Sequence, residues 1–486
     1  MGTARDHASR SLLWSSVDIF SQMGFSIVAL ALLARTLSAA EIGIGSLAIT
    51  IVQLITMPFE QLFHDAIVQR KELSKLHLIT AFTATVTGAL IGALLLVLMA
   101  PWISQWYGKP QLASLLRVAA IAIPISACAA VIAGNLRRQM AFAPLARRTV
   151  IGRIVGTLIG LVVAWYGGGA WSLIAMYVCS ILLSTIVLMS NRYLPGWGFD
   201  NSAFKELWRF GGPNMASQVL LLGNGRLFVS VAGMYLGDAA LGVFSLAFRI
   251  VEELRNTLSS AAAQLALPLL AKRAHLEEQF ANVFSEATRF TAMVLLPFYA
   301  GIMLVSPDLI QVLFGPKWQD ASTATTLLAA AALIVTFRQY SSIAISATGR
   351  PEINLLINGI ALAFSIGALL TGYVTDAGSA ARIWLWRAVI LLVASLVGTR
   401  FATPLTIKSQ VVPTSVPLVA TLVMSLCVSL LRSADTPLEG SPMWLTMNVL
   451  IAVISYAAAL FAISPQLVVQ LYSFSRNAVM SRATSH

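Results

Sequence analysis

Two arginines and two glutamates stand within seven residues of one apolar run, FRIVEELRN (248–256). Helical spacing of three and four puts Arg249, Glu252, Asn256 and Ser259 on one face, with Glu253 and Arg255 flanking it. A charged side chain at the centre of a bilayer costs at least about 2.5–3.5 kcal/mol. A membrane helix keeps such a cluster only against a partner, a water-filled cavity or a substrate. Pairing within the helix, Glu252 or Glu253 with Arg249 or Arg255 at i,i+3 or i,i+4, is the plain structural reading. A cavity-lining role that retains part of that pairing is the functional one. The run near 211–235 adds Asn214, Gln218 and Arg226. Arg226 has no acid within four residues, so it calls for a partner on another helix or an anionic substrate. Arg338, in TFRQYSS, is a weaker candidate of the same kind, because a long side chain can also snorkel to the interface.

The first half differs in sign. Asp18, Gln22 and Ser26 recur every four residues, and Gln53, Thr56, Glu60 and His64 every three or four. A carboxylate in a poorly hydrated cleft gains affinity for protons. Asp18 and Glu60 are therefore the candidate proton or cation sites, against the plainer reading of solvated residues near helix ends. His64 reads as a loop residue. No cofactor or metal site is expected: Cys128, Cys179 and Cys427 are isolated, with no CxxC spacing.

The elements that must position these residues are membrane helices. Of 486 residues, 58% are hydrophobic and 11% charged, far from the roughly 25% charged of soluble domains. That excludes a soluble enzyme, a disordered chain and a fibrous protein. The net charge of +12 would suggest nucleic acid in a soluble protein. Here it fits basic cytoplasmic loops, and no nucleic-acid partner is expected. Continuous apolar segments of about 20 residues exclude barrel strands and read as about 14 transmembrane helices. Six lie between residues 12 and 190 and eight between 211 and 463. Lys and Arg favour alternate breaks by roughly threefold, which places both termini in the cytoplasm. The spacing of Gly152, Gly156 and Gly160 reads as close helix packing.

There is an internal repeat. LSAAEIGIGSLA (37–48) and LGDAALGVFSLA (236–247) align at an offset of 199, matching Gly43 with Gly242 and Ser46 with Ser245. WYGKP (106–110) and LFGPKW (313–318) form a weaker echo. The expected fold is an all-α polytopic membrane protein of two related six-helix bundles plus two C-terminal helices. Its parts are an N-terminal bundle (1–190), a cytoplasmic linker (191–210), a C-terminal bundle (211–402) and the extra helices with a tail (403–486). Parallel repeats place a substrate site between halves, near the bilayer midplane.

ARTLSAAEIG (34–43), AIVQRKELSKLHL (66–78), FKELWRFGGPNMASQ (204–218), LFGPKWQDA (313–321) and ATGRPEINL (347–355) together resemble a known family. It is the Wzx-like polysaccharide transporters, the O-antigen and exopolysaccharide flippases of the multidrug/oligosaccharidyl-lipid/polysaccharide exporter superfamily. The resemblance runs from about residue 10 to 400. It implies a bacterial inner-membrane flippase for undecaprenyl-diphosphate-linked sugar repeats, with membrane lipid, a polysaccharide polymerase and a chain-length regulator as partners. Family members often carry an Asp where Phe228 stands here, so that residue's ion-coupling role does not transfer. Proton or sodium coupling stays open.

Under that resemblance the arginines would hold the diphosphate, since a planar guanidinium donates paired hydrogen bonds and stays charged. Arg226 and Arg249 lead, Arg255 comes next and Arg338 follows, with Asn214, Gln218, Glu252, Glu253 and Asn256 around them. The sequence has no GxxxxGK[ST] phosphate loop and no HExxH, so neither ATP hydrolysis nor enzymatic chemistry is expected. Two alternatives remain. A multidrug or organic-cation antiporter needs acids at its centre, and an integral membrane glycan polymerase needs a catalytic loop outside the membrane.

Overall fold

The computed structural model describes residues 26–70, 72–189, 195–272, 277–433 and 439–465. Among the described residues every regular element is helical. The chain divides into two compact units, residues 1–246 with 366–377 and residues 247–365 with 378–486.

The first unit holds α1 (Ser26–Thr36), α2 (Ala39–Gln61), the short α3 (His64–Gln69) and α4 (Lys75–Trp106). After these come α5 (Leu112–Ala119), α6 (Ala122–Arg138), α7 (Phe142–Trp165), α8 (Trp171–Met189) and α9 (Asn201–Tyr235). Local chemistry sets the helix starts. Ser38 opens α2 with a reciprocal cap: its hydroxyl accepts from the Glu41 N–H at 3.3 Å, and its own N–H donates to the Glu41 carboxylate at 2.7 Å. Asp200 caps α9 by accepting from the Ala203 N–H at 2.7 Å. The small-residue stripe on α7 packs on α8 as expected. A methyl on Gly156 would stand 2.7 Å from Ser180 Cβ and 2.8 Å from the Met176 carbonyl.

The two repeat segments meet inside this unit. A methyl on Gly43 would stand 2.8 Å from Gly242 N, and one on Gly242 would stand 3.0 Å from Gly43 N. The backbones approach closely only because both positions lack a Cβ. Beside this contact the buried Lys109 amine pairs with Asp238 and donates to the Leu236 carbonyl at 3.3 Å.

Helix α10 (Asp238–Lys272) begins in the first unit and continues into the second. The second unit adds α11 (Glu277–Phe314), α12 (Ala321–Ala347), α13 (Pro351–Leu370) and α14 (Ala377–Ala402). It ends with α15 (Ile407–Val411), α16 (Ser415–Arg432) and α17 (Pro442–Ile463). The α16–α17 hairpin is pinned to α11. Asp308 pairs with Arg432 and accepts from the Gly440 N–H at 3.1 Å.

Large apolar side chains face outward. Leu90, Ile91, Leu94, Leu95 and Leu98 on α4, and Leu450, Val453 and Ile454 on α17, are all exposed. Lipid is as apolar as these residues, so a membrane protein gains nothing by hiding them. Among the described residues eleven helices are long and apolar enough to cross a membrane, or twelve if the bent α9 counts as one span. The expected 14 is therefore not reached by this measure. The two further helices are α1, which is short within the described residues, and α10, which carries the charge cluster.

Candidate functional site

The second unit buries a cationic cluster. On α10, Arg255 pairs with Glu252 at 2.7 Å and donates to the Asn256 side-chain oxygen at 2.7 Å. The i,i+3 pairing expected from sequence is thus present for these two residues. Glu252 is only 6% exposed, and its second oxygen accepts from the Trp384 indole N–H at 3.1 Å. Glu253 acts electrostatically on Arg249 one turn away.

From α12, Arg338 is buried at 8% exposure. It does not snorkel outward. From α14, Arg387 is 7% exposed, with its guanidinium 4.2 Å above the Trp384 ring. Glu252, Arg255 and Arg338 all lie close enough to act on the Arg387 charge. Among the described residues neither Arg338 nor Arg387 forms an ion pair. Their buried Nε–H groups have no hydrogen-bond partner among those residues, and neither has the hydroxyl of the buried Tyr299 on α11, which also senses Arg255 and Glu252.

Glu252 pairs with Arg255 and acts on Arg387, while Arg255 acts on both Arg338 and Arg387, so three guanidiniums meet in this cluster. Arginine stays charged under all biological conditions. Like charges repel, and more strongly in a protein interior than in water. A surplus of buried, donor-rich positive charge suits an anion with several oxygens, and suits an organic cation poorly.

The first unit sets its polar residues differently. Arg226 on α9 donates through Nε to the Gln53 side-chain oxygen at 3.0 Å and approaches Met57 Sδ at 3.7 Å. Its partners on another helix are an amide and a thioether, and among the described residues it forms no ion pair. Tyr177 on α8 lies beside Gln53, Glu60 and Arg226. Glu60 accepts a hydrogen bond from Ser126 on α6. Asn214 donates to Asp65 at 2.6 Å, and Gln218 approaches the same carboxylate. Spacing along the chain groups Asn214 and Gln218 with Arg226, whereas their shared partner is Asp65. His64 is more than a loop residue, because its ring bonds Asp65 at 2.9 Å and Arg137 at 3.0 Å. Asp18, and the side chain of Ser259, lie outside the described residues.

Sequence reasoning missed Arg387, Trp384 and Tyr299. A signal existed for Arg387. It sits inside the apolar run WLWRAVILLV with no acid within four residues, the same pattern that drew notice to Arg226.

The sequence model of the polysaccharide biosynthesis protein family matches residues 32–323, more than half of the chain. The succinoglycan biosynthesis transport protein ExoT of Rhizobium meliloti (strain 1021) is 28% identical over 428 residues, covering 87% of this chain and 86% of that protein. The lipopolysaccharide biosynthesis protein WzxC of Escherichia coli (strain K12) is 21% identical over 362 residues, covering 74% of each. In fold the chain is similar to the lipid II flippase MurJ in an inward closed conformation. The TM-score is 0.76 at 15% identity, covering 94% of this chain and 100% of that one. It is also similar to an inward-facing multidrug resistance MATE family transporter, with a TM-score of 0.63 at 17% identity, covering 81% and 97%. These multi-pass helices and this match over most of the N-terminal two thirds place the chain in the polysaccharide biosynthesis protein family.

Proposed function

We propose that the protein is a flippase that moves a lipid-linked oligosaccharide across the bacterial inner membrane during polysaccharide assembly. The observation that carries this reading is the pair of buried arginines without an acid partner among the described residues, Arg338 and Arg387, beside the Glu252–Arg255 pair. The undecaprenyl-diphosphate carrier that the family resemblance implies would supply the matching chemistry. Its diphosphate carries at least two negative charges, and moving them through a low-dielectric region without countercharge would cost many kcal/mol.

The guanidiniums of Arg255, Arg338 and Arg387 replace water around the phosphate oxygens. Glu252 returns to Arg255 when the anion leaves, so the site releases what it binds. Arg249 and Arg226 add positive charge within their own units. Glu60 and Asp18 are the proposed groups for proton or sodium coupling. Alternating exposure of the site to the two membrane faces, cytoplasmic termini and supply to a polymerase with its chain-length regulator complete the proposal.

The MATE-like fold alone would equally suit an organic-cation exporter. The sign of the buried charge in the second unit favours the anionic cargo. Complementation of a strain that lacks the gene tests the choice. Replacing Arg338 and Arg387 together by Ala should lower polysaccharide export more than tenfold at an unchanged protein level in the membrane. Normal export by that double variant, or efflux of cationic dyes by the unmodified protein, would overturn the reading.

A further inference from the structure

Trp384 touches the acid and a base of the cationic cluster at once. Its indole N–H donates to Glu252 Oε1 at 3.1 Å, and its ring face lies under the Arg387 guanidinium at 4.2 Å. The side chain is 3% exposed, and Phe248 braces it edge-on at 5.0 Å and 74°. An indole N–H points in the plane of the ring, whereas a cation sits above that plane. The carboxylate and the guanidinium therefore meet one side chain from perpendicular directions. They attract each other, yet among the described residues they form no ion pair. The two contacts reinforce each other, because an anion at the N–H edge raises the negative charge on the ring face that holds the cation.

We propose that Trp384 is a positioning residue that holds Glu252 away from Arg387 and so keeps Arg387 open to an anionic ligand. The proposal rests on the reading of this cluster as a diphosphate site. Without the indole N–H, Glu252 Oε1 loses the Trp384 donor, and Arg387 is a cation beside it that has no acid partner among the described residues. An ion pair there would leave one open guanidinium, on Arg338, in place of two. A tryptophan serving only to fill space would have no such effect on charge.

The experiment uses the full-length protein purified in detergent, with inorganic pyrophosphate as the probe and calorimetry as the readout. Trp384→Phe keeps a ring for packing and for the cation and removes the N–H. It should weaken pyrophosphate binding at least tenfold. Glu252→Gln should bind at least tenfold more tightly than the unmodified protein, because an amide cannot neutralise arginine. The double variant W384F/E252Q should bind as E252Q does, since no acid is left to misplace. A packing role predicts that the double variant stays as weak as W384F, and that outcome overturns the proposal. So does a W384F protein that binds like the unmodified one, or an E252Q protein that binds no more tightly if W384F cannot be purified. Failure of the unmodified protein to bind pyrophosphate would instead remove the anion-site reading itself.

Discussion

Arg226 donates its Nε hydrogen to the Gln53 side-chain oxygen at 3.0 Å, tying α9 to α2 within the first unit. A hydrogen bond from a charged donor contributes about 1.5–3 kcal/mol. Arg226→Ala and Gln53→Ala should each lower the unfolding temperature in detergent, and the double variant should lose less than the sum. The coupling should be about 1 kcal/mol. Strict additivity would mean that the pair does not hold the helices together. Arg226→Lys should restore transport only in part, since it keeps the charge and loses the planar fork.

The Lys109–Asp238 pair is lopsided: the lysine side chain is 8% exposed and the aspartate 40%. Asp238→Ala strands a buried ammonium with one carbonyl, that of Leu236, as partner, and should destabilise the protein by about 2 kcal/mol. Lys109→Met leaves a solvated carboxylate and should cost less. Thermal unfolding of the two variants decides it, and equal losses would contradict the asymmetry.

Close approach at Gly43 and Gly242 predicts opposite responses to one chemical change. Ala at either position must push the partner backbone away, a strain of about 1–3 kcal/mol, and the variant should unfold earlier. A methyl on Gly359 of α13 would meet nothing within 4 Å. Gly359→Ala should stabilise by up to about 1 kcal/mol through helix propensity. If all three substitutions behave alike in thermal unfolding, the glycine contact has no special role.

Topology can be read with reporter fusions. Fusions at 238–240 and 437–440 should report the extracytoplasmic side, and fusions at 200 and 486 the cytoplasm, in line with the Lys and Arg bias. A C-terminal reporter outside the cytoplasm would mean an odd number of spans.

The helical architecture was legible because lipid demands long apolar runs, and α4, α8 and α17 show them without interruption. The Glu252–Arg255 pair was legible because both residues lie on one helix, where spacing fixes distance. Arg387 was harder to place, since its significance depends on α10 and α12 arriving beside α14, and no spacing within one segment encodes that. Gln53 as the partner of Arg226 was hidden for the same reason: 173 residues separate them. An arginine's partner need not be an acid: an amide oxygen and a thioether receive Arg226.

The glycine contact between the repeat segments has the symmetry of a dimer. Gly43 and Gly242 correspond under the sequence repeat and touch each other, which is how a residue meets its own copy across a two-fold axis. Had the two copies been separate chains, this patch would be self-complementary, joining one chain to an identical one without a second surface. Within one polypeptide the segments around the contact are free to differ, whereas the contact itself holds both positions to the smallest residue.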